Sequence, residues 1–568
     1  MRKGTGCLIV VGILFVLVVL LFLATFIAQQ PVQNSIVEIN IDRNIVEERL
    51  QRFPDRFFQG EVTTVKDILD ILQHAQNDSR ITGIILHIDS VTMGLAKVQE
   101  IRDAIADFKS SGKFIFAFME YGGNLEYFLA CAAEKVYLIP QGNIQLTGLA
   151  SEVYFFRGTF DKLGIIPDFE HIGDYKSASD ILTRKTMSEA HREAVNSILD
   201  SYYDQFISGI AQSRKLTTSK TKELVDQGPF LAQEAVNNGL IDKLVYKDEF
   251  LDIVKQRNKG KLPIIEGKKY LLQSSRSSAF KPKIALVYGC GSIVPGSSSY
   301  SPLTGMMMGS DTIAKAIKEA RESSAIKAII FRIDSPGGSA IASDVVWREV
   351  VLTKKVKPFI VSMSDVAGSG GYWIAMSADK IVAQPGTLTG SIGVLGGKYN
   401  IKGLYQKIGI NKETLYRGKH ARIFSDYRNF TDEERQIFLK GIKDIYHNFV
   451  SKVANARKMS YEQVDEIAQG RVWTGEQGKK LGLVDELGGL NKALELAKTA
   501  ANISPKTNVA LVIYPKASGW SARFLQSIFI DELRPFKHID PALHMAVQFQ
   551  ELQKENFYLM MPFYLKVH

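Results

Sequence analysis

The sequence predicts an α/β protein in which two tandem copies of one domain, each a mainly parallel sheet covered by helices, follow a single N-terminal membrane span. Three observations carry this. An apolar run near the N-terminus is long enough to cross a bilayer, short apolar segments recur 245 residues apart (Asp89 against Asp334), and short β-like runs alternate with helix-periodic ones. That alternation is what a parallel sheet with crossover helices requires.

Composition sets the outer bounds. With 568 residues, 45% hydrophobic and 23% charged, the chain is globular rather than disordered or collagen-like. Seventy Lys and Arg against sixty Asp and Glu give a net charge of +10. The excess is diffuse, with no basic run interleaved with aromatics, so nucleic acid is not expected as a partner. Three cysteines (Cys7, Cys131 and Cys290) and no CxxC spacing suggest neither a disulfide framework nor a zinc site.

The first element is the uncharged stretch Cys7–Ala28, whose 22 residues at ~1.5 Å each match a hydrocarbon core of ~30 Å. A cleaved signal would have an apolar region of about 7 to 15 residues ending in a small-x-small site. Here Phe22 and Phe26 stand where the small companions of Ala24 and Ala28 would be, which favours an uncleaved anchor. Arg2 and Lys3 precede the run, whereas residues 29–42 contain no Lys or Arg. The positive-inside bias then keeps residues 1–6 in the cytoplasm, holds 7–28 in membrane lipid, and places the body outside the cytoplasm. The expectation is a single-pass cytoplasmic (inner) membrane protein with a periplasmic or otherwise extracytoplasmic body.

The duplication comes next. ITGIILHIDS at 81–90 resembles IKAIIFRIDS at 326–335, ACAAEKVYLIP at 130–140 faces AMSADKIVAQP at 375–385, and FDKLGI at 160–165 faces YQKIGI at 405–410. Within the second copy, a helix over Thr312–Arg321 and a buried strand over Ala328–Ile333 are expected. The first copy is expected over 35–257 and the second over 283–514, joined by a Gly, Ser, Pro and Lys-rich linker at 258–282. Residues 515–568 lie outside the repeat, and their aromatics suit packing or oligomer contacts.

Chemistry performed once should appear as a difference between copies. The second copy has Asp334-Ser335-Pro336-Gly337-Gly338-Ser339 where the first has Asp89-Ser90-Val91-Thr92-Met93-Gly94. A glycine pair after a strand can turn backbone N–H groups into a cavity, as an oxyanion hole requires, although SPGG alone is equally a type II turn. Ser369 in AGSGGYW replaces Asn124, with Tyr372 and Tyr127 holding the register. It stands at a helix start, where it is either a nucleophile or a simple N-cap. Conversely, Lys176 in GDYKSA replaces Ala421. One copy keeps the lysine and lacks the serine, the other the reverse, as expected if two copies share one site. A lysine serves as general base only when neutral, which burial can arrange. Ser391 in TGSIG, standing for Leu149, could orient the amine or be a turn serine.

These stretches, DSPGGS, AGSGGYWIA, LTGSIGV and GDYKSA, resemble the signal peptide peptidase A (protease IV) family of membrane-anchored Ser-Lys serine proteases, in its long duplicated form. The resemblance implies a fold related to crotonase and to the Clp protease subunit. It further implies Ser369 as nucleophile, Lys176 as base, Ser391 as lysine-positioning residue, and Gly370 with Gly337 or Gly338 as oxyanion donors. Substrates would be remnant signal peptides and other apolar peptides, the assembly a homo-oligomer, a homotetramer by resemblance, and no metal or nucleotide cofactor is implied. Competing readings are a crotonase-like acyl-CoA enzyme and a catalytically idle envelope scaffold. A Ser-His-Asp hydrolase is disfavoured because the nine histidines are scattered.

Overall fold

A computed structural model describes residues 32–43, 45–50, 62–274, 281–301, 304–516 and 557–561. The anchor expected at 7–28 and most of the extension after 515 lie outside them. Among the described residues no helix is long and apolar enough to cross a membrane.

In the first copy, β1 (Ser35–Ile41), β2 (Ile81–Ile88), β3 (Phe114–Met119) and β4 (Lys135–Leu138) alternate with α1 (Val65–Asn77), α2 (Leu95–Ser110) and α3 (Asn124–Ala130). Helix α1 shows why such segments are helical. Thr64 and Asp67 form a reciprocal capping box, and Val65, Ile68, Leu69, Ile71, Leu72 and Ala75 bury one face at three-and-four spacing. Strand β5 (Ile166–Ile172) and the long helix α4 (Glu189–Arg214) follow, then β6 (Lys243–Leu244) and β7 (Ile264–Glu266). Among the described residues these form a six-stranded sheet of order β6-β4-β3-β2-β1-β7, parallel throughout, with β5 elsewhere.

The second copy repeats the plan with β8 (Lys283–Cys290), β9 (Ser292–Val294), β10 (Gly305–Gly309), α5 (Ser310–Glu322), β11 (Ile326–Ser335), β12 (Gly337–Ser339), α6 (Ala340–Thr353), β13 (Phe359–Gly368) and α7 (Gly370–Ala375). Then come β14 (Lys380–Ala383), β15 (Leu388–Gly390), β16 (Val394–Asn400), α8 (Asp432–Arg457), β17 (Val472–Thr474), α9 (Leu490–Ala500) and β18 (Ala510–Tyr514). Its main sheet runs β17-β15-β13-β11-β8-β18 with β14 also on β13, and only β15 and β17 are antiparallel neighbours among the described residues. The helix and strand expected at 312–321 and 328–333 are α5 and β11.

The stretch expected as a linker is structured over some of its length. Ile264–Glu266 is the edge strand β7, paired in parallel with Ile36–Glu38, and Gly267–Ser274 is helical. The apolar pair Ile264-Ile265 finds a sheet edge more than 200 residues back in sequence, which its Gly- and Lys-rich flanks conceal.

A third sheet joins the copies. Its order among the described residues is 299–301, β10, β9, β12, β19 (Phe557–Met560), β16 and β5, so a strand of the first copy and one from the C-terminal extension complete a sheet of the second. The copies also share one core: Val98, Ile101 and Ile105 of α2 cluster with Ile330, Ile360 and Leu388. Through this contact runs a buried ionic chain. Arg332 Nε donates to Glu47 Oε1 at 2.8 Å and its Nη2 to Glu100 Oε2 at 2.6 Å. Lys97 Nζ lies 2.6 Å from Asp334 and 3.0 Å from Asp365. Asp365 in turn accepts from the backbone N–H groups of Gly94 and Lys97, so a carboxylate of the second copy caps the first turn of α2.

Candidate active site

Strands β11 and β13 are adjacent and parallel, so their C-terminal ends deliver the two most distinctive stretches of the sequence side by side. β11 runs into Ser335-Pro336 and the short β12, while β13 runs through Gly368 into Ser369 and α7. Ser369 has φ of 55°, a left-handed conformation unusual outside glycine, which projects its side chain out of the strand-to-helix turn. Its N–H donates to Gly390 O at 2.8 Å, tying it to β15. Gly370 must lack a side chain, since a Cβ would sit 2.7 Å from Ser343 Oγ and 3.2 Å from both Gly337 Cα and Gly338 N. The Gly370 and Gly338 amides are thereby neighbours. Gly337 N–H, by contrast, donates to Ser335 Oγ at 3.2 Å.

Lys176 arrives from the first copy. Strand β5 pairs antiparallel with β16, from Ile172 opposite Val394 to Ile166 opposite Asn400, and the turn after it reaches over the second copy. Tyr175 N–H donates to Gln469 O at 2.8 Å, and Gly470 lies flat against Lys176, where a Cβ would come within 2.6 Å of the lysine Cα and Cβ. Only glycine at 470 leaves room for this seat.

The amine then meets two serines. Lys176 Nζ lies 2.7 Å from Ser369 Oγ and 3.0 Å from both the carbonyl and hydroxyl oxygens of Ser391. All three residues are completely buried. Burial holds the Lys176 pKa well below the ordinary lysine value of 10.5. A neutral amine has two N–H groups and one lone pair, which matches the three contacts. In that neutral form the N–H groups donate to the two Ser391 oxygens and the lone pair accepts from the Ser369 hydroxyl; in the protonated form Nζ donates to all three oxygens.

Lys176, Ser369 and Ser391 therefore come together within one chain, with Gly337, Gly338 and Gly370 alongside. Their counterparts do not form a second constellation. Asn124 Nδ2 donates to Gly148 O at 2.8 Å and its Oδ1 accepts from Thr147 N–H, a bracing role, while Ala421 is exposed. Sequence reading missed Gly470 and Gln469, which nothing in AQGRVW distinguishes, and it missed β19 beside Gly337.

Comparison with known proteins gives a consistent picture. The pattern of peptidase family S49 matches residues 107–261 and again 352–504, two segments that begin 245 residues apart. The chloroplastic serine protease SPPA of Arabidopsis thaliana is 40% identical over 448 residues, covering 77% of this chain and 66% of that protein. Protease 4 of Salmonella typhi is 34% identical, covering 76% and 72% respectively, and Protease 4 of Haemophilus influenzae is 31% identical, covering 78% and 74%.

Proposed function

The chain belongs to peptidase family S49 and is a serine peptidase, and from that premise we propose that Ser369 and Lys176 form its catalytic dyad, acting on remnant signal peptides and other apolar peptides at the outer face of the cytoplasmic membrane. The observation that carries the dyad is the three-contact environment of a fully buried Lys176, whose pKa burial holds well below the ordinary lysine value. Lys176 Nζ takes the Ser369 proton as Oγ attacks a peptide carbonyl. The N–H groups of Gly370 and Gly338 face the developing oxyanion, Gly338 being preferred because the Gly337 N–H is already committed to Ser335. The protonated lysine then gives its proton to the leaving amine, and the neutral amine activates the deacylating water. Ser391 keeps the lone pair aimed throughout.

Anchoring rests on the apolar run 7–28, which would hold the site near the bilayer where cleaved signal peptides accumulate. The test is hydrolysis of a fluorogenic apolar peptide by full-length protein solubilised in detergent from alkali-washed membranes. Ser369→Ala is expected to remove at least about 10⁴-fold of the rate without changing the circular dichroism spectrum. Hydrolysis that survives in the alanine variant overturns the dyad, and release of the protein by the alkaline wash overturns the anchor.

We infer also that the chain assembles head to tail. Within the chain β5 pairs with β16; the 245-residue offset carries β5 onto residues 411–417, and the 242-residue offset that sets Ser391 opposite Leu149 carries β16 onto 152–158. Both segments are described throughout and neither is a strand, while Leu415 and Tyr154 are 96% and 61% exposed. Pairing of one chain's 411–417 with the next chain's 152–158 would repeat the internal joint, and such a heterologous joint closes into a ring where its rotation allows, four subunits being what the family resemblance favours. Leu415→Asp is expected to lower the sedimenting mass in detergent toward that of one chain. An unchanged mass assigns assembly to another surface.

A further inference from the structure

Away from the reacting residues, a cavity of about 680 Å³ opens in the seam between the copies. The first copy contributes α1 and the turn after it, the second contributes α9 and the segments leading into β8 and β18, and the helix at 267–274 lines it as well. Its wall is cationic. Lys281, Lys498 and Lys506 line it, and none of the three has an acidic partner among the described residues. Lys498 Nζ donates instead to a backbone oxygen, Pro505 O at 3.1 Å, which ties α9 to the loop that carries Lys506. The one carboxylate on the wall is already matched. Arg80 grips Asp78 through Nε at 3.0 Å and Nη2 at 2.8 Å, Tyr270 Oη donates to it at 3.2 Å, and the bond from Arg80 holds its pKa below the ordinary value. His74 adds little charge, because burial keeps its pKa below the ordinary histidine value. Three like charges around one cavity repel one another unless an anion sits between them. A volume of this size takes a small organic group rather than a bare ion.

The position of the cavity says which anion. Arg80 directly precedes β2, Lys281 stands two residues before β8, and Val509 directly precedes β18, so the cavity lies at the N-terminal ends of parallel strands. Ser369 follows the C-terminal end of β13 and has no part in it. The chain enters the body at the cavity's end: Ser35, the first residue of β1, donates its N–H to Arg80 O at 2.9 Å. Ser35 is seven residues beyond Ala28, the last of the apolar run, a reach of at most ~25 Å at ~3.5 Å per residue. The headgroup layer adds several Å to each side of the hydrocarbon core, which brings the cavity within range of it. Asn258 Nδ2 donates to Asn34 O at 2.8 Å, setting the exposed Lys259 and Lys261 on the same face. Clustered cations beside a membrane span attract anionic lipid, and a lysine ammonium suits a phosphate oxygen.

We propose that this cavity binds the phosphodiester headgroup of an anionic phospholipid, with Lys281, Lys498 and Lys506 around the phosphate, so that the body is clamped to the bilayer at a second point beside its anchor. The proposal rests on the reading of residues 7–28 as that anchor. A span in the membrane holds the cavity at the surface of a lipid reservoir, so a site of modest affinity is filled by high effective concentration. Held at two points, the body cannot swivel about one connecting chain, and the face that it turns to the lipid is fixed.

Full-length protein in nonionic detergent is mixed with equimolar dioleoyl phosphatidylglycerol and dioleoyl phosphatidylcholine, and the lipids it retains are counted by native mass spectrometry. One phosphatidylglycerol per chain is expected, preferred by about ten-fold over phosphatidylcholine. Lys281→Glu/Lys498→Glu/Lys506→Glu should abolish the preference, whereas Lys318→Glu/Lys355→Glu/Lys440→Glu, the same charge change at exposed lysines elsewhere, should keep it. Peptide hydrolysis in detergent should stay within about two-fold in both. If the reversed variant does not fold, glutamine at the same three lysines carries the same readout. In a second arm, phosphatidylglycerol is expected to raise the urea midpoint of the parent protein and inorganic phosphate to leave it unchanged. An equal rise with inorganic phosphate assigns the cavity to a soluble anion and overturns the lipid. Equal retention of the two lipids, a preference that survives the cavity reversal, or one lost in the control reversal overturns the proposal too. Selective retention by a protein that an alkaline wash releases from membranes would overturn the anchor and leave the headgroup site standing, whereas a protein that resists the wash and shows no preference overturns the site alone.

Discussion

Lys176→Met is expected to lower kcat by about 10⁴-fold and, at the same time, to make the protein more resistant to denaturation at neutral pH. The two effects have one cause. The amine is buried with no charged partner among the described residues, and burial holds its pKa well below 10.5. The unfolded chain, with lysine at its ordinary value, binds the proton more tightly than the folded chain does. Folding stability therefore rises with pH across the window between the lowered pKa of Lys176 and the ordinary lysine range, and below that window the folded state bears the full cost of the buried amine. Methionine fills a similar volume without that cost and should flatten this region of the pH dependence. In the parent protein kcat/KM should rise with pH as the folded lysine loses its proton. Urea midpoints measured across the window, with hydrolysis assayed beside them, test both halves. A methionine variant that is no more stable and still cleaves peptide would mean that Lys176 is neither neutral nor catalytic.

Arg332→Met carries the largest expected loss of stability, about 3–5 kcal/mol, because it strands two carboxylates inside the joint between the copies. Arg332 is completely buried and also receives support from Ser362 Oγ at 2.8 Å. Burial by itself would raise the Glu47 pKa, but Arg332 and Lys97 outweigh it and hold this carboxyl below its ordinary value. At Glu100 burial wins over the pull of Arg332 and the value is raised. Removing the guanidinium leaves Glu47 only Lys97 and the Ser364 hydroxyl, and Glu100 only the Leu490 N–H, against the cost of burial. The loss should appear as a lower urea midpoint, and replacing Glu47 and Glu100 by Gln in the same variant should recover some of it. A midpoint unchanged by Arg332→Met would show that water reaches this joint.

The ionic chain also explains what the sequence could not reveal. Arg332, Asp334, Lys97 and Glu100 are ordinary charged residues in a chain with 23% of them, and only contacts across more than 200 residues turn them into a core. The same non-locality hid β7, whose partner Ile36–Glu38 lies at the other end of the first copy, and β19, whose aromatics look like packing surface until β12 and β16 are seen as open edges. Gly470 was invisible for a simpler reason, because the backbone it shelters belongs to a distant loop. By contrast, the parallel sheets were legible because apolar runs such as ITGIILHI and IKAIIFRI announce strands buried on both faces. Ser369 and Lys176 were legible because duplication supplied its own control: Asn124 and Ala421 stand where the second serine and the second lysine would be. Nothing in either copy alone would have singled them out.

On the proposed dyad, the antiparallel pairing of β5 with β16 sets the stoichiometry of the chemistry. Lys176 and Ser369 meet within one polypeptide, so the proposed reacting centres would equal the chains in number, half the number of folded copies. Dilution cannot separate these halves as it would separate subunits, so specific activity should not depend on association. A ring of such chains would then serve as an enclosure, deciding which peptides enter rather than whether any bond can be cut.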